Sequence, residues 1–105
     1  MAKNTEKIQN VLTVEYKGKT IVSRPFDYEA FCLVDDMRYS KYAAGDIVGG
    51  AHLGKKALNY MFEGTELTDE AIEALDFATR RKLCEDVANM YFASLKTTES
   101  ETKNQ

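Results

Sequence analysis

Residues 76–95, with the sequence DFATRRKLCEDVANMYFASL, decide how the rest of the chain folds. Several of them recur at steps of three and four, the spacing that stacks side chains on one face of an α-helix. That face consists of Phe77, Arg81, Cys84, Val87, Ala88, Tyr91 and Leu95, and the opposite face consists of Arg80, Lys82, Glu85, Asp86 and Asn89. Because apolar surface left in water costs roughly 25 cal/mol per Å², we expect the shorter elements before this amphipathic helix to cover its apolar face.

The length and composition of the chain indicate a single small globular domain. It has 105 residues, of which 44% are hydrophobic and 30% are charged, and a chain of this size can form one core without metal or crosslinks. A formal net charge of −3 gives no general attraction for nucleic acid or for an anionic membrane. No apolar run is long enough for a signal peptide or a membrane-spanning helix, so we expect a cytosolic protein.

The first part of the chain is predicted to form a β-hairpin. Residues 1–10 are polar and lack a clear period, which indicates a flexible leader. Leu12, Val14 and Tyr16 then occupy alternate positions, the period of a strand, and a second β-rich run covers residues 20–23. Gly18 supplies the positive φ of a tight turn, so the two strands should pair antiparallel. A lone hairpin is marginal in water and needs a helix packed on its apolar face.

The first helix is predicted to begin after Asp27, whose side chain can cap it, with Phe26 and Phe31 placed as a hydrophobic staple. Its apolar face consists of Ala30, Leu33, Val34 and Met37. Residues 39–45 are expected to form a connection in which the tyrosines lie flat on the core with their hydroxyl groups in water.

A second helix is predicted from Asp46, with its first half made irregular by three glycines and its second half well supported over residues 55–62. Its apolar side consists of Ile47, Ala51, Leu58, Met61 and Phe62. Gly64 fits the left-handed position after a helix end. Thr68 opens a short helix, and Asp76 caps the long last one.

Together these elements predict an α+β fold, in which an N-terminal antiparallel β-hairpin packs against about four helices and the last helix is the longest. Residues 11–96 should form one domain. The polar residues 97–105 contain nothing apolar to bury, so we predict a disordered tail.

The sequence GGAHLGKK at residues 49–56 matches the start of a phosphate-binding loop. Such a loop requires Ser or Thr after the lysine and a buried strand before the first glycine. This chain has Lys56 at that position and no strand-like segment before Gly49. We therefore interpret the segment as close helix packing at small residues, followed by a lysine-rich solvated turn.

No catalytic constellation is present in the sequence. His52 is the only histidine and has no neighbouring Cys, Asp or Glu. Asp35 and Asp36 would point about 100° apart on a helix rather than toward one substrate. Cys32 and Cys84 are expected to be unpaired thiols in the core. We predict no catalytic, cofactor-binding or metal-binding residue, no cofactor, and a protein that is not an enzyme.

A basic triplet, Arg80-Arg81-Lys82, begins the last helix. It has two interpretations: a solvated turn that is screened by neighbouring acids, or a nucleic-acid contact. The screening residues would be Glu73, Asp76, Glu85 and Asp86. Because these acids would repel a phosphate backbone, nucleic-acid binding is the weaker interpretation.

Two helices carry apolar side chains on more than one side. The residues are Tyr60, Met61, Phe62, Met90, Tyr91 and Phe92. Either their additional faces meet neighbouring helices, or they form a partner-binding surface, since exposed methionine and aromatic patches are typical of adaptable interfaces. Such faces are equally suited to closing a homo-oligomer.

Three segments carry a resemblance to a known family: VEYKGKTIV at 14–22, FDYEAF at 26–31 and ALNYMFEGTELTDE at 57–70. In the order and character of these segments, residues 11–95 resemble the tail assembly chaperones of long-tailed bacteriophages and prophages of Gram-positive bacteria. The resemblance implies a small α+β protein in the bacterial host cytoplasm. It implies binding to the tape-measure protein before the tail tube polymerises, with the tail tube protein as a further partner.

In that family, part of the product is extended by a programmed ribosomal frameshift near the end of the gene. The family offers no catalytic residues to carry over. The alternative from another class is a small regulatory nucleic-acid-binding module that uses Arg80, Arg81 and Lys82.

Overall fold

Within residues 10–46 and 49–103, two strands and five helices follow one another. The computed structural model describes residues 10–46 and 49–103. The strands are β1 (Thr13–Tyr16) and β2 (Lys19–Val22), and the helices are α1 (Tyr28–Ala43), α2 (Gly50–Leu53), α3 (Lys55–Met61), α4 (Asp69–Glu73) and α5 (Phe77–Lys103). The predicted α+β fold, with an N-terminal hairpin and a longest last helix, is confirmed. Residues 1–9 of the predicted leader lie outside the described residues.

The hairpin is antiparallel, as predicted, with Val14 opposite Ile21 and Tyr16 opposite Lys19. Its two-residue turn has positive φ at both positions, 52° at Lys17 and 78° at Gly18. This is the backbone form that matches the twist of paired strands. The positive φ of Gly18 was predicted from the sequence, whereas the positive φ of Lys17 was not.

Ser23 connects the end of the hairpin to the rest of the fold. Its buried hydroxyl accepts a hydrogen bond from the Leu12 N–H at 2.9 Å and donates one to the Arg24 carbonyl oxygen at 2.7 Å. The Arg24 N–H in turn donates to the Met61 carbonyl oxygen at 2.9 Å. The hairpin is thereby fixed to the end of α3.

Helix α1 is capped by Asp27, as predicted, because its Oδ1 accepts from the Ala30 N–H at 3.0 Å. The helix continues to Ala43, so the prediction of a connection from residue 39 is wrong. Nothing in residues 39–43 breaks a helix, and the chain leaves the helix only before the left-handed Gly45 (φ 84°). Tyr39 and Tyr42 are accordingly exposed and do not lie on the core.

The predicted second helix is divided into α2 and α3 at Gly54. Gly49, and not Asp46, stands at the N-cap of α2, and Ile47 lies outside the described residues. The predicted helix over residues 55–62 is confirmed by α3. Gly54 is buried against the backbone of Cys84 on α5, which agrees with the interpretation of this glycine-rich segment as a helix-packing site.

The following turn and caps also agree with the sequence. Gly64 adopts the left-handed conformation at φ 84°, and the Thr68 hydroxyl accepts from the Ala71 N–H at 3.2 Å to cap α4. Asp76 caps α5 by accepting from both the backbone N–H and the hydroxyl of Thr79.

Helix α5 is the centre of the packing, and α1, α2 and α3 all contact it. Its predicted apolar face is buried from Cys84 to Tyr91, but its first turn is not covered, and Phe77 and Arg81 are exposed there. Leu83, which was not placed on that face, is buried beside the hairpin residues Leu12 and Thr13.

The helix backbone continues through Lys103, so residues 97–103 of the predicted disordered tail are helical. They contain no glycine or proline to stop a helix that is already propagating.

One hydrophobic cluster joins the hairpin and the helices. Its largest fully buried side chains are Tyr91, Phe62, Leu58, Met61, Leu67, Ile72, Val34 and Val87. No helix within residues 10–46 and 49–103 has both the length and the apolar content needed to cross a membrane.

Candidate partner-binding surface

The six side chains predicted as a partner surface do not form one surface. Met61, Phe62 and Tyr91 have no exposed area, so they belong to the core. The prediction is corrected for these three because neighbouring elements cover both apolar sides of their helices. Tyr60 and Met90 are half-buried, and only Phe92 is exposed.

Tyr60 is held in a local network and does not present a free ring. Its hydroxyl donates to Asp27 Oδ2 at 2.7 Å, and the Arg24 guanidinium lies 4.2 Å from the centre of its ring. Burial of the Asp27 carboxyl opposes ionisation, but hydrogen bonds from Tyr60 and from the Ala30 N–H lower its pKa overall. Tyr60 therefore ties the start of α1 to α3.

Phe92 belongs to a row of four aromatic rings that crosses from α5 to α1. We call this row the aromatic strip; its members are Tyr28, Phe31, Tyr91 and Phe92. Ring centres are separated by 6.3 Å between Tyr28 and Phe31, 4.9 Å between Phe31 and Tyr91, and 5.1 Å between Tyr91 and Phe92. These separations lie in the range of favourable aromatic pairs. The strip is therefore a continuous packed unit in which Tyr91 is buried, Phe31 is partly buried and the two ends are exposed to water.

Arg38 lies over the Phe92 end of the strip. Its guanidinium carbon is 5.5 Å from the centre of the Phe92 ring and 5.2 Å from that of Tyr39, and its Nη1 donates to the Tyr91 hydroxyl at 3.1 Å. That hydroxyl donates to Asp35 Oδ1 at 2.5 Å. Burial raises the pKa of Tyr91, and the bond to Asp35 raises it further. The hydrogen bond to Tyr91 raises the pKa of Arg38, so Arg38 stays charged.

The exposed ends of the strip have the composition of a protein interface. Tyr28 is 79% exposed and Phe92 is 42% exposed, and Tyr39 beside Arg38 is 55% exposed. Tyrosine, phenylalanine and arginine are enriched where proteins bind one another, because they offer large apolar area with a polar edge. The buried Tyr91 keeps the strip ordered, which lowers the entropy cost of binding.

Tyr28, Phe31, Arg38 and Tyr39 were not predicted as site residues, although a signal was present. Phe31, Asp35 and Arg38 follow the spacing i, i+4 and i+7, which places them on one face of a helix. Apolar spacing alone does not include Asp35 and Arg38, so it did not indicate that this face of α1 packs against α5.

The basic triplet on α5 is largely neutralised by neighbouring acids. Arg81 Nε lies 3.1 Å from Glu85 Oε2, and Lys82 Nζ lies 3.0 Å from Asp86 Oδ2. These contacts agree with the predicted screening by Glu85 and Asp86.

The residues that could bind a metal or act in catalysis lie apart from one another in the described part of the chain. No three His, Cys, Asp or Glu side chains there come close enough to hold a metal ion. His52 is exposed on α2, and Cys32 and Cys84 form no disulfide. Burial raises the pKa of the Cys84 thiol, which makes it a poor nucleophile.

Comparisons with known proteins give no relative. No family model matches the sequence, and no significant match is found among curated proteins or solved structures.

Proposed function

We propose that this protein is a tail assembly chaperone of a long-tailed bacteriophage or prophage. It acts in the bacterial host cytoplasm without catalysing a reaction, and it binds the tape-measure protein, with tail tube subunits as a second client. The observation that carries the proposal is the aromatic strip, which ends in water at Tyr28 and Phe92. The resemblance of residues 14–22, 26–31 and 57–70 to this family supplies the identity of the client.

The physical task of such a chaperone is to cover an apolar surface temporarily. A tape-measure protein is a long amphipathic helix, and its apolar face aggregates unless another surface covers it. The strip spans two helices, which is the arrangement used when a partner helix lies in a groove. Because only the ends of the strip are exposed, one copy should bind weakly. Many copies along one client then provide the necessary coverage, and they are released when the tube polymerises.

Coexpression with the adjacent tape-measure and tail tube genes, followed by affinity capture of this protein, tests the proposal. Capture of the tape-measure protein, and an increase in its soluble fraction, is the expected result. Failure to associate with either client would reject the proposal. The gene offers an independent test, since a slippery heptamer near its 3′ end with an overlapping reading frame is expected.

A further inference from the structure

A surface hollow lined partly by basic side chains lies where the first turns of α5 face α2 and the start of α3. The hollow has a volume of about 320 Å³. We call it the basic groove; it is lined by Ala51, His52, Lys55, Phe77, Arg80, Arg81 and Cys84. Its location follows from the close packing of Gly54 on Cys84, which brings α2 and the α3 start beside α5.

Of the three cations that line this groove, only Arg81 has an ion pair in the described part of the chain. Five cations there take part in ion pairs, namely Lys19, Arg24, Lys41, Arg81 and Lys82. Lys55 and Arg80 have no carboxylate within ion-pair distance among the described residues. Both nevertheless act electrostatically on the Cys84 thiol in the groove. In a chain with a net charge of −3, this groove thus holds two cations without an ion pair among the described residues, with Glu85 acting on the same thiol in the opposite sense.

The basic groove adjoins another hollow. A second hollow of about 350 Å³ shares His52 and Lys55 with it and extends along α3 to Lys56 and Asn59. Lys56 also lacks an ion pair among the described residues. Together the two hollows are lined by five cations and one carboxylate, namely Lys41, Lys55, Lys56, Arg80, Arg81 and Asp36.

Apolar surface accompanies this charge. The ring of Phe77 is 79% exposed at the edge of the groove, and Ala51 and Cys84 form part of its apolar lining. An exposed apolar ring beside unpaired cations is complementary to a segment that carries carboxylates next to an apolar side chain.

We propose that the basic groove is a second docking site for the client and binds an acidic segment that contains an apolar anchor. This inference rests on the proposed function and adds the chemistry of one client segment to it. The aromatic strip covers the apolar face of the client, and the groove binds its carboxylates.

The experiment titrates labelled probes into the protein and follows fluorescence anisotropy. One probe is an amphipathic peptide of about 15 residues with glutamates beside leucines at helical spacing. The others are the same peptide with lysines for glutamates, and a single-stranded oligonucleotide of equal charge. The acidic peptide should bind, and the double variant Lys55→Glu/Arg80→Glu should bind it about tenfold more weakly. Lys96→Glu reverses one charge, half the change of the double variant, at an exposed position further along α5 and should bind it like the wild type.

Equal binding of the acidic peptide by the wild type and the double variant would overturn the inference, and so would tighter binding of the oligonucleotide. Thermal melting of each variant separates lost binding from lost folding. Capture of the tape-measure protein distinguishes the two proposals. If the double variant captures it as well as the wild type does, the groove is not a client site. If the wild type captures no client but binds the acidic peptide in the groove, the proposed function fails and the groove remains a site for acidic segments.

Discussion

Gly54 lies directly against the backbone of Cys84: a Cβ at position 54 would be 3.0 Å from the Cα of Cys84 and 2.9 Å from its carbonyl carbon. Real Cβ atoms do not approach backbone so closely, and backbone cannot rotate away as a flexible side chain can. This contact fixes how close the α2–α3 corner comes to α5. Both the core and the basic groove depend on that distance.

We predict that Gly54→Ala lowers the free energy of unfolding by about 1 to 3 kcal/mol, because the added methyl group forces α5 outward. Gly50→Ala is the matched control. A Cβ at Gly50 would make ordinary contacts of 3.5 Å with Glu85 and 3.8 Å with Ala88, so this variant should be neutral or slightly stabilising. Urea unfolding measures both, and equal stabilities of the two variants would contradict the packing described for Gly54.

Ser23 supports a second prediction. Ser23→Ala removes the acceptor for the Leu12 N–H and the donor to the Arg24 carbonyl oxygen, which should cost about 1 to 3 kcal/mol, since buried backbone groups lose their partners. Ser40→Ala, at an exposed serine on α1, should change stability by less than about 0.5 kcal/mol. Hydrogen exchange should become faster in the hairpin of the Ser23 variant before it does in α5. Unchanged protection of the Leu12 amide would contradict this role.

Sequence periodicity predicted much of this architecture because local rules decide it. The hairpin turn at Gly18 and the caps at Asp27 and Thr68 each depend on a few neighbouring residues. The end of α1 was missed because the tyrosines in residues 39–43 suggested a connection, although none of these residues breaks a helix.

The partner surface could not be read from the sequence in the same way. Apolar spacing shows which side chains avoid water, but it does not show which neighbour covers them. Met61 and Phe62 are covered within the core, whereas Phe92 is left exposed by the same fold. Screening of the basic triplet by neighbouring acids was predicted from the sequence, but the position of Lys55 beside Arg80 required the tertiary structure.

Stability should fall in alkaline solution because of two buried acids. Burial raises the pKa of the Cys84 thiol and of the Tyr91 phenol. Each group therefore holds its proton more tightly in the folded state. The folded state loses stability as the pH rises above the pKa values of the unfolded chain, about 8.5 for cysteine and 10 for tyrosine.

Tyr91→Phe should be less stable at neutral pH by about 1 to 2 kcal/mol, because its hydrogen bonds to Asp35 and Arg38 are lost.

The same variant should lose less stability than the wild type between about pH 8 and pH 11, because it has no phenol to ionise at position 91. Urea unfolding across this range measures the difference. Tyr42→Phe, which changes an exposed phenol on α1, should follow the wild-type curve. Parallel curves for the wild type and Tyr91→Phe would contradict the assignment.

We propose that the exposed ends of the aromatic strip bind the client. The most direct measurement is the affinity of the purified protein for the tape-measure protein, compared between the wild type and the double variant Tyr28→Ala/Phe92→Ala. The double variant loses two aromatic pairs, each worth about 0.5 to 1.5 kcal/mol, so thermal melting must show that it is folded at the assay temperature. We predict that its affinity falls at least about tenfold. Val22→Ala, at an exposed apolar residue of β2 outside the strip, should leave affinity unchanged. A folded double variant that binds the tape-measure protein as tightly as the wild type would contradict the claim.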